Sequence, residues 1–205
     1  MKIFEYGENE INHLSKKDKQ LSKIINLLGK IDRQVTPNLF EALVENILGQ
    51  QISNKAAATV NKRLRDKFDG VISPEKIASA NHYYIQECGT TLKKAGYIKI
   101  AADAILYGKI KLDDFPTMPD DEIIEQLTQL PGVGVWTAEM LMIFSLQRPN
   151  IISYDDLIIR RSLIKLYHLE ELTKDQFNTF RNQYHPYASI ASLYLWAYGH
   201  SDIAE

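Results

Sequence analysis

Cys88 is the only cysteine in this chain. That excludes an intrachain disulfide and any zinc or iron–sulfur site built from several cysteines of this chain. The five histidines show no metal-ligand spacing. Long apolar runs are missing too. A stretch such as Met140-Leu141-Met142-Ile143-Phe144 is far too short to span a bilayer. The N-terminus, Met1-Lys2-Ile3-Phe4-Glu5-Tyr6-Gly7-Glu8, carries acid early and lacks the apolar core of a secretory signal. A reduced, cytoplasmic protein with no membrane partner is therefore expected. An excess of basic charge is also absent: the net charge is −2 and the pI about 6.2. This balance neither supports nor excludes nucleic acid, because binding needs a local basic face rather than a basic total.

What the chain does have is helical periodicity. Its 205 residues are 45% hydrophobic, enough for one domain or for one domain with two lobes. Leu39, Phe40, Leu43, Val44, Ile47 and Leu48 share one helix face. Ser53 reads as the N-cap of a helix from Asn54 to Lys67, and Ser73-Pro74 as a cap followed by proline at the first helical position. Thr91 to Tyr107 reads as a longer helix in which Gly96 is a possible break. Pro119-Asp120-Asp121-Glu122 opens another with acid in its first turn, as the helix dipole favours. Helices follow from Trp136 to Leu146 and from Asp156 to Tyr167. Thr173 caps Lys174 to Tyr184, and a last helix runs through Tyr198 to a stop at Gly199. Val71-Ile72 and Asn150 to Ser153 are extended connectors at most. The class is all-α, with roughly ten helices.

The segment Leu130-Pro131-Gly132-Val133-Gly134-Val135-Trp136-Thr137-Ala138 carries the most information. A helix ends at a proline–glycine step, turns through Gly132 and Gly134, and re-enters a helix. The N–H groups around Gly134 and Val135 have no intrahelical acceptor, so a phosphate oxygen can take them with help from the helix dipole. The carbonyls of Thr128, Leu130 and Val133 could face one another and hold a monovalent cation. Further on, Tyr154-Asp155-Asp156 places a carboxylate at the mouth of another helix. One of the two aspartates is expected to be that helix's N-cap.

In combination these strings resemble the helix-hairpin-helix (HhH-GPD) DNA glycosylase superfamily, and within it the 3-methyladenine DNA glycosylase II branch. The resemblance covers most of the chain. Phe40-Glu41-Ala42-Leu43-Val44 to Gly49-Gln50-Gln51-Ile52-Ser53 is similar to the family's early helix and its loop toward DNA. Leu92-Lys93-Lys94-Ala95-Gly96-Tyr97-Ile98 is similar to its middle segment, and Pro186-Tyr187-Ala188-Ser189 to Trp196 to the final helix of the alkylation-repair branch. The resemblance implies a two-lobed helical fold with the active site in the interlobe cleft. The middle lobe would take residues about 38–150, with the hairpin at about 128–138; the second lobe would combine 1–37 with 151–205 in the same single domain. With so short a stretch before Phe40, the N-terminal sheet domain of some relatives is not expected.

The same resemblance assigns roles. Gly132, Gly134, Val135 and Thr137 would grip a phosphate, with Ser53 and Lys55 as further DNA contacts. Gln51, or else Gln50, would enter the minor groove in place of the flipped base. Members that also cut the strand carry a lysine where Trp136 stands, and its amine forms a Schiff base with the sugar. Tryptophan has no such nucleophile, so a monofunctional enzyme is implied. Trp136, Trp196, Tyr187 and Met140 would line the base pocket, where electron-rich rings attract a cationic base. In a relative of this branch an aromatic stands at the position of Met140, so the resemblance implies a differently shaped pocket here. On register, Asp155 is favoured over Asp156 as the catalytic carboxylate, because Asp155 to Arg160 with Ile158 between fits the family's pattern.

The implied reaction is hydrolytic removal of alkylated purines such as 3-methyladenine and 7-methylguanine from double-stranded DNA, leaving an abasic site. No cofactor is required; a structural Na+ or K+ ion at the hairpin is an option that the carbonyls of Thr128, Leu130 and Val133 leave open. A monomer associated with bacterial or archaeal nucleoid DNA is expected. Two rivals stay open: another lesion class on the same fold, oxidised or mismatched, and a non-catalytic DNA-binding module. The basic runs Lys55, Lys62, Arg63, Arg65, Lys67 and Lys93, Lys94, Lys99 read as solvated helix faces, some of which would contact phosphates in a DNA-binding protein.

Overall fold

The computed structural model describes residues 2–201, and among these twelve α-helices and one short 3-10 turn make up the regular structure. Among the described residues one antiparallel bridge joins Ile3 and Gln34. No described helix is long and apolar enough to cross a membrane. The chain forms two compact units. One takes the chain through Val35 and again from Gln147; the other is Thr36–Leu146.

The first unit holds α1 (Glu8–Lys17), α2 (Lys19–Leu28), α10 (Leu157–Leu166), α11 (Lys174–Tyr184) and α12 (Ala188–Gly199). Leu14, Leu21, Leu163, Phe177, Tyr194 and Leu195 are buried in it. Helices α10 and α12 approach closely because small residues meet. A side chain at Gly199 would collide with Ser162 Oγ at 2.5 Å and Ile158 Cγ2 at 2.6 Å. The Ser162 hydroxyl donates to the Leu195 carbonyl at 2.8 Å. This packing fixes the helix whose N-terminus follows Asp155.

The junction of α1 and α2 is a buried polar staple. Asp18 caps α2 by accepting from the N–H groups of Gln20 (3.0 Å) and Leu21 (2.9 Å). Its other oxygen accepts from the hydroxyl of Tyr167, the C-cap of α10. Burial first, and then the Asp18 carboxylate, push the Tyr167 hydroxyl well above the usual tyrosine pKa, so it stays a neutral donor. Tyr167→Phe leaves a buried carboxylate short of a partner and should cost about 1.5–3 kcal/mol in denaturant unfolding. With its pKa raised, the folded state holds the Tyr167 proton more tightly than the unfolded chain does. The contribution is whole below about pH 10 and is lost as pH climbs through the folded value.

The second unit holds α3 (Leu39–Gly49), α4 (Asn54–Lys67), α5 (Pro74–Ser79), α6 (His82–Gln86), α7 (Leu92–Leu106), α8 (Asp120–Thr128) and α9 (Val135–Phe144), with the 3-10 turn at Leu112–Asp114. Side-chain caps open most of them: Asn38, Ser53, Ser73, Asn81 and Thr91 each accept a backbone N–H of the following turn. Helix α9 lies deep in the unit, buried at every residue from Thr137 to Ile143, and packs on α3 and α8. Helix α7 runs unbroken through Gly96. Glycine there costs about 1 kcal/mol relative to alanine, which burial of Ala95, Ile98, Ala101 and Ala102 offsets.

Candidate active site

The turn between α8 and α9 is built around two glycines that serve different ends. Gly132 has φ 81°, a left-handed conformation that favours glycine. A side chain there would also strike the Tyr97 ring, with Cδ2 at 2.2 Å and Cε2 at 2.6 Å. Gly134 is extended and is the N-cap of α9; no atom lies within 4 Å of where its side chain would be. Internal packing therefore demands glycine at 132 and leaves open space at 134. Helix α9 has neither a side-chain cap nor an acidic residue in its first turn, in contrast to α8, which opens on Asp120, Asp121 and Glu122. The start of α9 keeps the positive end of its dipole uncompensated, the arrangement an anion needs.

Trp136 lies in the first turn of α9, 36% exposed, and Met140 one turn further is 4% exposed. Four residues apart, they fall on one face of the helix. Thr137 is buried at 4%. The Leu130 carbonyl accepts the Val133 N–H at 3.1 Å, which leaves its second lone pair for another partner.

The loop after α3 separates the two glutamines. Gln50 turns inward: its Nε2 donates to the Gly132 carbonyl at 2.8 Å. Gln51 is exposed and stands at φ 58°. Gln51 therefore presents its side chain outward and Gln50 is tied to the hairpin.

The basic helices also divide. Lys94 donates to the carbonyls of Leu48 (2.8 Å) and Gln50 (2.6 Å), closing the C-terminus of α3. Burial pulls its pKa below the usual lysine value. Lys99 closes α5 in the same manner, on the carbonyls of Ile77, Ala78 and Ala80. Lys93 sits over the Tyr97 ring at 5.7 Å. On α4, Arg65 pairs with Glu41 (2.7 Å) and Glu45 (2.6 Å), Lys62 with Asp66 (2.6 Å), and Lys67 with Glu87. Most of these basic side chains are thus engaged inside the unit. Lys55, exposed at the start of α4 beside the cap Ser53, has no side-chain partner among the described residues.

In the other unit the adjacent aspartates have different surroundings. Asp156 is 6% exposed and is the N-cap of α10; its Oδ1 accepts from Ile158 N and Ile159 N, both at 3.0 Å. Asp155 is exposed and makes no hydrogen bond or ion pair among the described residues. The strand of chain leading to it is clamped. Arg181 donates to the Ile152 carbonyl at 3.2 Å. The Arg160 guanidinium lies 5.0 Å over the Tyr154 ring, and Tyr154 meets Phe177 edge-on at 5.2 Å. Arg160 is thereby a packing partner of Tyr154.

Two of the expected pocket residues, Tyr187 and Trp196, belong to this unit, and Trp136 and Met140 to the other. Tyr187 precedes α12 and meets His13 edge-on at 5.2 Å. Trp196 is half-buried nine positions later on α12, about half a turn out of phase at 3.6 residues per turn. Tyr187 is drawn toward α1 and does not share a face with Trp196. Tyr97 lies inside the Leu92 to Ile98 segment that resembles the family but has no role that the sequence assigns; its place against Gly132 emerges only with the fold.

Residues 44–185 match the family model of the HhH-GPD superfamily base excision DNA repair protein. The chain belongs to the HhH-GPD superfamily. It is 29% identical over 191 residues to DNA-3-methyladenine glycosylase 1 of Schizosaccharomyces pombe, covering 90% of this chain and 84% of that one. Among solved structures it resembles a DNA-3-methyladenine glycosidase of Bacillus halodurans, with a TM-score of 0.85 and 28% identity over 98% of this chain and 94% of that one. It is equally similar to the S. pombe 3-methyladenine DNA glycosylase in complex with abasic DNA, with a TM-score of 0.85 and 29% identity over 97% and 100% of the two chains.

Proposed function

We propose that this chain is a monofunctional DNA glycosylase that flips alkylated purines out of double-stranded DNA and removes them by hydrolysis. The observation that carries the reading is Asp155: an exposed carboxylate at a helix mouth whose capping duty Asp156 already fills. The glycosylic bond breaks with its electron pair leaving on the base, and the sugar gains oxocarbenium character. A carboxylate stabilises that cation and takes the proton of the water that bonds to C1′. An alkylated purine is already cationic and departs neutral, so one carboxylate suffices without a strong general acid. Trp136 offers an aromatic face to such a base and no amine to attack the sugar.

The hairpin supplies the phosphate grip through the N–H groups that open α9, with Lys55 and Ser53 as nearby contacts on α4. Gln51 fills the space vacated by the base, at the unstacking cost of a few kcal/mol usual for flipping. A Na+ or K+ ion, if bound, would take the carbonyls of Thr128, Leu130 and Val133 and lend positive charge toward the phosphate. The chemistry itself asks for no cofactor. The protein would act as a monomer on cytoplasmic DNA.

Single-turnover excision on a set of duplexes tests the substrate class. 3-Methyladenine and 7-methylguanine should be released faster than 8-oxoguanine or a mismatched pyrimidine. The reverse order would assign the fold to another lesion, and Met140 in the pocket would be the first residue to reconsider.

A further inference from the structure

Gln51 holds a left-handed backbone conformation, which a side chain of this kind keeps only where its surroundings enforce it. Gln51 is the third residue of a type II turn closed by the Ile52 N–H on the Gly49 carbonyl at 3.4 Å, and the residue before it in that turn, Gln50, is held at two points. Its carbonyl accepts from Lys94 Nζ at 2.6 Å, and its side-chain amide donates to the Gly132 carbonyl at 2.8 Å. Lys94 also takes the Leu48 carbonyl at 2.8 Å. One turn along α7, the Tyr97 ring occupies the space beside Gly132 that a side chain would need. A single turn of α7 therefore touches both loops: Lys94 holds the loop that carries Gln51, and Tyr97 backs the hairpin. The Gln50 amide closes the triangle by tying one loop directly to the other.

We propose that Gln50, Lys94 and Tyr97 are positioning residues, a brace that fixes the spacing between the Gln51 loop and the hairpin at Gly132–Gly134. Insertion of Gln51 at the vacated base step and the grip on the strand phosphate then occur as one event. This rests on the glycosylase reading above. Lys94, in spite of its charge, acts on protein carbonyls and not on DNA. The brace matters only when both loops are engaged, as on a duplex with a missing base. An undamaged duplex is held mainly by phosphate charge and does not call on it.

The test is fluorescence anisotropy of the full chain on two duplexes, one undamaged and one holding a tetrahydrofuran abasic analogue. Gln50→Met keeps the side-chain length, removes the amide donor and adds no charge. It should weaken binding to the abasic duplex about tenfold and to the undamaged duplex less than about twofold. Lys94→Met should lose the same discrimination while the slope of log affinity against log salt stays at the wild-type value. A phosphate contact would instead make that slope shallower by about 0.9. Equal losses on both duplexes, preserved discrimination in Gln50→Met, or a shallower slope in Lys94→Met would each overturn the brace. Wild-type protein with no preference for the abasic duplex would sink the glycosylase reading and the brace with it. Wild-type preference that survives Gln50→Met sinks the brace alone.

Discussion

Asp155→Asn should lower the rate of base excision by about 10²–10⁴-fold, the range a positioned proton acceptor supplies, while the protein folds and binds duplex DNA as before. Asparagine keeps the shape of the side chain but carries no charge to stabilise an oxocarbenium and no basic oxygen for the water proton. Because Asp155 is exposed and has no intramolecular bond among the described residues, its replacement breaks nothing in the fold. The neighbouring position should behave in the opposite sense. Asp156→Ala removes the cap of α10 and leaves the N–H groups of Ile158 and Ile159 without their acceptor. That should cost about 0.5–2 kcal/mol of stability and leave excision by the folded protein largely intact. Denaturant unfolding and single-turnover excision on the two variants separate these outcomes. Excision by Asp155→Asn at the wild-type rate would remove the catalytic assignment.

The second large effect is expected at Gly132. Alanine there must hold φ 81°, at a cost of about 1–2 kcal/mol. Its methyl group meets the Tyr97 ring along an entire edge, with Cγ, Cδ2 and Cε2 all within 3.0 Å, so more than the tip of the side chain must move. Overpacking of this kind adds about 1–3 kcal/mol. Gly132→Ala should therefore unfold at clearly lower denaturant and lose duplex binding because the hairpin is displaced. Gly134→Ala meets open space from an extended backbone, and its stability should stay within about 0.5 kcal/mol of wild type. Its methyl group nevertheless stands where a phosphate approaches the start of α9. Binding should weaken about tenfold, the worth of one hydrogen bond to a charged group. Unfolding curves and duplex affinities for the pair should show this split. Two stable, tightly binding variants would contradict the hairpin's proposed role.

Much of the fold was legible in the chain because helix starts are local chemistry. Ser53, Ser73, Thr91 and Thr173 each cap the helix that follows them, with hydrogen bonds spanning three residues. The break between α1 and α2 was not legible, since Asp18 is anchored by Tyr167 from a distant part of the chain. The short α6 lies below the length at which periodicity speaks. Within the site, the residues of the hairpin could be read, but their division of labour could not. Gly132 and Gly134 look alike until Tyr97 is placed beside one of them. Gln50 and Gln51 differ only through the backbone angle that sends one inward. A lysine has the same letter whether its ammonium meets water, a phosphate or, as for Lys94 and Lys99, the carbonyls that end a helix.

The central claim is that this chain cuts the bond between an alkylated purine and its sugar with water alone. Incubating the enzyme with a methylated duplex, with and without borohydride, followed by mass analysis of the base and of the strand, tests it directly. Hydrolysis predicts free methylated purine, an abasic site in an unbroken strand, and no adduct on borohydride treatment. A borohydride-trapped protein–DNA adduct, a nicked strand, or no released base would contradict it.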